Sequence, residues 1–265
     1  KKLLFVYNPK AGKAQIRNKL ADILDIFARE GYESTVVPTQ KRGDASKIVA
    51  SRHDGYELVV CSGGDGTLDE VVTGMIQSGF RTSIGYIPAG STNDFGGSIS
   101  LPKNMVRAAQ TAVTGRDFQC DIGSFRHGEG EDVFVYIAAF GLFTDVSYET
   151  GQEMKNVLGH MAYLLEGMKR LSSIRSFPMK VSWEGKEVED EFIFGMITNS
   201  FSVGGFKNIT GKNVKLDDGL FEVTLIRKPR NPIELNNIMM SLLNRDIDTD
   251  AMYCFRTAKL QLESR

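Results

Sequence analysis

The sequence predicts a doubly wound α/β domain followed by an antiparallel β domain, and three observations carry that prediction. In the first half, short apolar runs alternate with stretches whose apolar residues recur at helical spacing, the pattern of a parallel sheet covered on both faces. Turns rich in glycine or small residues follow the strands at 8–13, 62–67 and 88–94, with 39–40 as a fourth. All four would gather at the carboxyl edge of the sheet, where ligands bind in such folds. Past residue 122 the pattern shifts to strand-like runs with hairpin signals, as an antiparallel sandwich requires.

Leu3 to Tyr7 reads as the first strand. Asn8-Pro9-Lys10-Ala11-Gly12-Lys13 leads from it into a helix whose buried face is Ile16, Leu20, Ile23, Leu24 and Phe27, and Gly31 ends that helix. Ser34 to Val37 is the next strand, left through Pro38-Thr39-Gln40, and Asp44 to Ser51 is a short helix. Strand Leu58 to Ser62, helix Leu68 to Ser78 and strand Ser83 to Ile87 continue the alternation; helix Asn104 to Thr114 closes it. The second half offers strands at Asp132 to Phe140, Pro178 to Trp183, Lys186 to Ile197, Leu220 to Arg227 and Thr257 to Glu263, with Glu184-Gly185 as a hairpin turn. Helical stretches fall at about Lys155 to Leu171 and at Ile233 to Asn244, the latter opened by Asn231-Pro232. The expected domains are 1–122 and 123–265, packed around a cleft, the second incomplete at its carboxyl end.

The stretch Gly63-Gly64-Asp65-Gly66-Thr67-Leu68 holds the most chemistry. Gly63, Gly64 and Gly66 are expected to adopt positive φ, and without a Cβ their N–H groups can close on an anion. The following helix start adds unpaired N–H groups and a partial positive charge, which suits phosphate. Asp65 is the misfit: beside a phosphate a carboxylate is repulsive unless a divalent cation lies between them or it holds a proton. The alternative is a tight turn in which Asp65 only caps a helix.

A formal net charge of −1 leaves no global field to draw nucleic acid or an anionic membrane, so such contacts need a local patch. Cys61, Cys120 and Cys254 show no paired or metal spacing and fit a reducing, cytoplasmic setting. No apolar run approaches bilayer-spanning length, which makes any membrane contact peripheral. His53, His127 and His160 are dispersed and receive no role.

Four motifs occur in order: Asn8-Pro9-Lys10-Ala11-Gly12, Gly63-Gly64-Asp65-Gly66-Thr67-Leu68-Asp69-Glu70, Pro88-Ala89-Gly90-Ser91-Thr92-Asn93-Asp94-Phe95 and Asp217-Asp218-Gly219-Leu220-Phe221. Together they resemble the diacylglycerol kinase catalytic-domain family, and within it the soluble bacterial lipid kinases. The resemblance implies ATP and Mg²⁺ as cofactors and a lipid acceptor at a membrane surface. It implies that Asn8, Pro9, Lys10, Ala11 and Gly12, with Gly64 to Glu70, bind the ATP phosphates, and that Thr39 and Thr92 make further nucleotide contacts. Asp94 is similar to a carboxylate near the metal and the transferred group, and Asp121 to a carboxylate that orients it. Asp218, with the carbonyls of Lys215 and Leu220, resembles a structural Mg²⁺ loop. The bacterial kinases carry a late Gly-Glu base that does not appear before Arg265, so Asp65 stands as a second candidate base, with metal ligand versus base left open.

A stripe of Val157, Leu158, Met161, Leu164, Leu165 and Met168 followed by Lys169, Arg170 and Arg175 reads either as a membrane-facing helix or as plain core. Arg227, Lys228 and Arg230 form a candidate basic surface or a solvated loop. The expected protein is a cytoplasmic lipid kinase, peripheral to the inner face of the membrane, without nucleic acid, with a homodimer as candidate assembly. A soluble-substrate kinase related to NAD kinase or phosphofructokinase, and a nucleotide sensor without catalysis, are the competing readings.

Overall fold

The computed structural model describes residues 1–52, 55–128, 130–141, 174–203, 206–207, 214–244 and 250–264. The helical stretch expected at 155–171, with its methionine stripe, lies outside them. The chain divides into two compact units, Lys1–Tyr136 and Ile137–Arg265.

The first unit alternates as expected: β1 (Lys2–Tyr7), α1 (Ile16–Arg29), β2 (Glu33–Pro38), α2 (Asp44–Ser51), β3 (Leu58–Gly63), α3 (Asp65–Ser78) and β4 (Ile84–Pro88). The short α4 (Asp94–Ser98), α5 (Met105–Thr114) and the hairpin β5 (Gly123–His127) and β6 (Gly130–Phe134) complete it. Four parallel strands stand in the order β2-β1-β3-β4. Alternate residues along each strand serve opposite faces. Leu3, Phe5, Leu58 and Val60 meet α1 and α5 on one side, while Leu4, Val6, Val59 and Cys61 meet α2 and α3 on the other. Successive strands lie on opposite sides of β1, so the strand order reverses between β1 and β3. That switch point is where open α/β sheets bind ligands.

Two local expectations change. Helix α3 begins at Asp65, three residues earlier than the apolar spacing places it, because Gly64 in extended conformation is its N-cap. The single strand expected over Asp132 to Phe140 is broken at Val135 and Tyr136. There the Val135 N–H leaves the sheet and donates to Asp69 Oδ1 at 2.8 Å. Val133, Val135 and Tyr136 pack on the α2–α3 side of the first unit, which therefore extends past the residue-122 boundary read from sequence.

In the second unit, β7 (Ile137–Gly141), β8 (Phe177–Trp183), β9 (Lys186–Thr198), β12 (Phe221–Arg227), β13 (Met252–Thr257) and β14 (Gln261–Ser264) form an antiparallel sheet, with β10 (Ser202–Val203) and β11 (Phe206–Lys207) a separate pair. Strand β9 is its spine. It pairs with β8 along its first half and β7 along its second, with β12 on the opposite edge. A bulge at Ile193, between Phe192 opposite Arg227 and Phe194 opposite Ile226, bends the spine. The bend rolls the sheet: Trp183 of β8 stacks on Phe255 of β13 with ring centroids 4.0 Å apart. In a flat sheet three strand spacings alone would hold them at least roughly 14 Å apart. Helix α6 (Pro232–Asn244) covers the other face through Ile238 and Leu242. The strand expected over Thr257 to Glu263 leaves out nearly all of β13, and its start is a turn: the Thr257 hydroxyl bonds the Lys259 backbone before β14 begins at Gln261.

Candidate active site

Three turns interlock at the carboxyl edge. Asn8 N–H donates to Ser62 O at 2.8 Å and Ala89 N–H to Gly63 O at 2.8 Å, tying the ends of β1, β3 and β4. The turn after β1 then arches across the end of β3. A Cβ on Gly12, where φ is +53°, would lie 2.5 Å from Ala89 O, and one on Gly90 would lie 2.6 Å from Gly64 Cα. At the end of β3 Ser62 is fully buried, and its hydroxyl has no hydrogen-bond partner among the described residues.

This packing corrects the reason for the central glycines. None of Gly63, Gly64 and Gly66 has positive φ; the left-handed residues of these turns are Gly12, Ala14 and Asn93. Gly63 is needed because the Thr67 side chain lies where its Cβ would be, 2.4 Å from Oγ1. Gly66 has nothing within 4 Å, so its missing side chain leaves the first turn of α3 open to approach.

The acidic residues of α3 reach outward to three neighbouring segments. Asp65 accepts from the N–H groups of Asp94 at 3.0 Å and Phe95 at 3.3 Å, so it does cap a helix, but α4 rather than its own. Asp69 holds Val135, and Glu70 accepts from Gly43 N–H at 2.8 Å and Ala45 N–H at 3.1 Å. Asp65 and Asp94 are both buried. Burial, then the Asp94 charge, pushes the Asp65 carboxyl up to about 6, against the pull of the two amides. Burial drives Asp69 up to about 7 although the Val135 amide opposes it. Tyr86, missed by the sequence reading, donates from its hydroxyl to Gly63 O at 3.2 Å and packs on Phe95, bracing the turn from below. An aromatic residue inside an apolar strand gives no sequence signal of that role.

The other expected residues fall as follows. Asn8 spends its side chain on the Lys10 N–H at 2.9 Å; Pro9 is half-buried, Lys10 and Gly12 are exposed, and Ala11 is buried. Thr39 is buried beside β1, its N–H on Tyr7 O at 2.9 Å. Thr92 is exposed, whereas Asn93 closes its own turn, accepting from Gly90 N–H and donating to Gly90 O. Thr67 and Leu68 belong to the first turns of α3, and Leu68 is core. Asp121 stands half-buried just before β5.

A divalent cation fits the Asp65–Asp94 pair: two buried carboxylates repel until a cation joins them. Among the described residues no three acidic, cysteine or histidine side chains converge as a metal cage. Mg²⁺ commonly binds through one or two carboxylates with phosphate and water.

In the second unit Lys215, Asp218 and Leu220 share an exposed loop. Asp218 Oδ1 accepts from Leu220 N–H at 3.2 Å and Oδ2 pairs with Arg256, whose Nε also bonds Glu222 at 3.1 Å. The guanidinium holds the Asp218 carboxyl below its usual range. The expected basic surface is neutralised: Arg227 is buried against Glu234 in a two-point pair at 3.0 Å, Lys228 pairs with Glu191 and Arg230 with Asp190.

Comparison with known proteins agrees with this geometry. Residues 2–125 match the diacylglycerol kinase catalytic domain. A diacylglycerol kinase of Staphylococcus aureus (strain bovine RF122 / ET3-1) is 32% identical over 240 residues, 90% of this chain and 74% of its own length. One from Staphylococcus carnosus (strain TM300) is 33% identical over 241 residues, 90% of this chain and 76% of its own. In fold, a diacylglycerol kinase crystal structure from Bacillus anthracis str. Sterne superimposes with a TM-score of 0.72 at 23% identity, over 99% of this chain and 86% of that one. With interlocked glycine turns at the switch point and relatives of this similarity over nearly its whole length, the chain belongs to the diacylglycerol kinase family.

Proposed function

We propose that the protein is an ATP- and Mg²⁺-dependent lipid kinase that moves the γ-phosphoryl group of ATP to the hydroxyl of diacylglycerol or a related lipid, forming phosphatidate. The observation that carries this is Asp65, a buried carboxylate beside Asp94 at the start of α3, where Gly66 leaves the first helical turn open to approach. In the transfer the acceptor oxygen bonds to phosphorus, the bond to the ADP oxygen breaks, and the hydroxyl proton leaves to a carboxylate. Bound Mg²⁺ would neutralise the phosphate charge, with Asp65 and Asp94 as its protein ligands. The α3 amides and the turn after β1 would hold the phosphates in line, which supplies much of the rate in such transfers. Ligand and proton acceptor are alternative roles for Asp65: with no cation on it, a carboxyl poised near 6 can take a proton at neutral pH, whereas a bound Mg²⁺ would lower that proton affinity. The acceptor would be met at a membrane surface from the cytoplasmic side. No described helix is long and apolar enough to cross a bilayer.

The test is transfer of radiolabelled phosphate from ATP in mixed micelles containing diacylglycerol, with sphingosine and NAD as parallel acceptors. Label in phosphatidate, abolished by EDTA, is expected. Label in NAD alone would assign the chain to a soluble-substrate kinase, and ATP binding without transfer to any acceptor would leave a sensor.

A further inference from the structure

Helix α2 starts without a cap of its own. Gly43 stands at its N-cap with φ at 82°, and no side chain at that position accepts from the helix. The first amides are taken instead by Glu70, across from α3, with one carboxylate oxygen on Gly43 and the other on Ala45. A carboxylate at a helix start also meets the positive end of the helix dipole. One turn further along α3, a Cβ on Gly74 would lie 2.4 Å from Ser46 O, so the two helices touch backbone to backbone and Glu70 is aimed at the head of α2. From its other side the same turn is held by Asp44, whose Oδ2 accepts from Gln40 N–H at 2.8 Å and Lys41 N–H at 3.0 Å. Thr39 is pinned to β1. The turn that follows β2 at the carboxyl edge is thus fastened by two carboxylates, one of them from the helix that opens the phosphate site.

We propose that Glu70 is a positioning residue for the nucleotide: it latches the turn from Thr39 to Ala45 onto α3 and so sets ATP affinity without touching ATP. The proposal rests on reading the carboxyl edge as a nucleotide site. Both Glu70 oxygens are committed to amides, which leaves it the wrong partner for phosphate and the right one for the turn. Gln at this position has one accepting oxygen and sets its NH₂ against the second N–H. Loss of the latch frees a turn that ATP must then order as it binds, a cost taken from its affinity.

Two variants of the full chain test it, Glu70→Gln and Asp44→Ala, by amide exchange, calorimetric titration with ATP and Mg²⁺, and steady-state kinetics. For Glu70→Gln, exchange at Gly43 and Ala45 should quicken, the ATP Kd should rise about tenfold, and kcat and acceptor KM should stay within about twofold of wild type. Asp44→Ala should weaken ATP similarly while quickening exchange at Gln40 and Lys41 and leaving Gly43 and Ala45 protected. It carries the test alone if Glu70→Gln does not fold. Faster exchange with unchanged ATP Kd in both variants would overturn the positioning role only. A fall in kcat at unchanged Kd would mean that Glu70 serves the chemistry directly. Wild type that binds no ATP would remove the nucleotide site itself, and the proposal with it.

Discussion

Asp65 is asked to do two things that compete. Its carboxylate holds the start of α4 through two amides, yet burial and Asp94 raise its proton affinity, so its charge is tolerated rather than favoured until a cation arrives. Asp65→Asn keeps the shape, loses the charge and retains one acceptor. Turnover should fall at least about a hundredfold while circular dichroism and melting stay close to wild type; near-normal turnover would refute the role. Asp69 differs, because its one described bond is to Val135 and no ligand is needed to explain it. Its folded carboxyl titrates near 7 against an ordinary value of 3.8. Between those values the native state keeps a proton that the unfolded chain has lost, so stability declines as pH rises from about 4 to about 7 and is level above. Asp69→Asn, which can still accept from Val135 N–H, should leave melting unchanged at pH 4 and raise it at pH 8. A variant that melts lower at pH 8 would show that the charge itself is required.

Turns and helices at the carboxyl edge hold one another through backbone contacts as well as side chains. Gly90 and Gly66 separate the two uses of glycine there. A methyl group at Gly90 would strike the Gly64 backbone, and Gly90→Ala should cost about 1–3 kcal/mol in urea unfolding, with loss of activity following from the displaced turn. Gly66 is helical and open, so Gly66→Ala should gain up to about 1 kcal/mol from helix propensity yet weaken ATP binding. A Gly66→Ala protein with wild-type affinity would show that the open first turn of α3 is not where phosphate binds. Helix α3 is the element on which the edge depends: its first turns carry the caps for α2 and α4 and the bond to Val135.

The two units differ in what stabilises them. In the first, two helical layers sandwich a parallel sheet with apolar residues on both faces. In the second, a bulged strand rolls an antiparallel sheet until non-adjacent strands meet, and Trp183, the sole tryptophan, stacks on Phe255 at that meeting. Trp183 fluorescence therefore reports the rolled sheet and not the nucleotide-binding unit. Phe255→Ala should lower the fluorescence-detected urea midpoint by at least about 1 kcal/mol of stability, the scale of a stacked aromatic pair beyond its area. An unchanged midpoint would mean that the stack adds nothing to the roll.

The alternation of apolar runs, the helix periods and the order of the four motifs by themselves determined the α/β-then-β architecture, the family and the edge at which the site forms. These are properties of local spacing, written in contiguous residues: Leu3 to Tyr7 is apolar whatever it packs against, and Glu184-Gly185 turns because both residues take positive φ. Only the tertiary structure decided what the motif residues do. The family resemblance places Asp69 and Glu70 in the phosphate-binding segment; in the fold their side chains bond Val135 and the head of α2, 66 and 25 to 27 residues away. Arg227 looks like part of a surface patch until Glu234 is folded against it, and Asp218 gains from β13 an ion-pair partner, Arg256, that its loop sequence does not show. A charge takes its role from the nearest group of opposite need, and in each of these cases that group comes from another part of the chain.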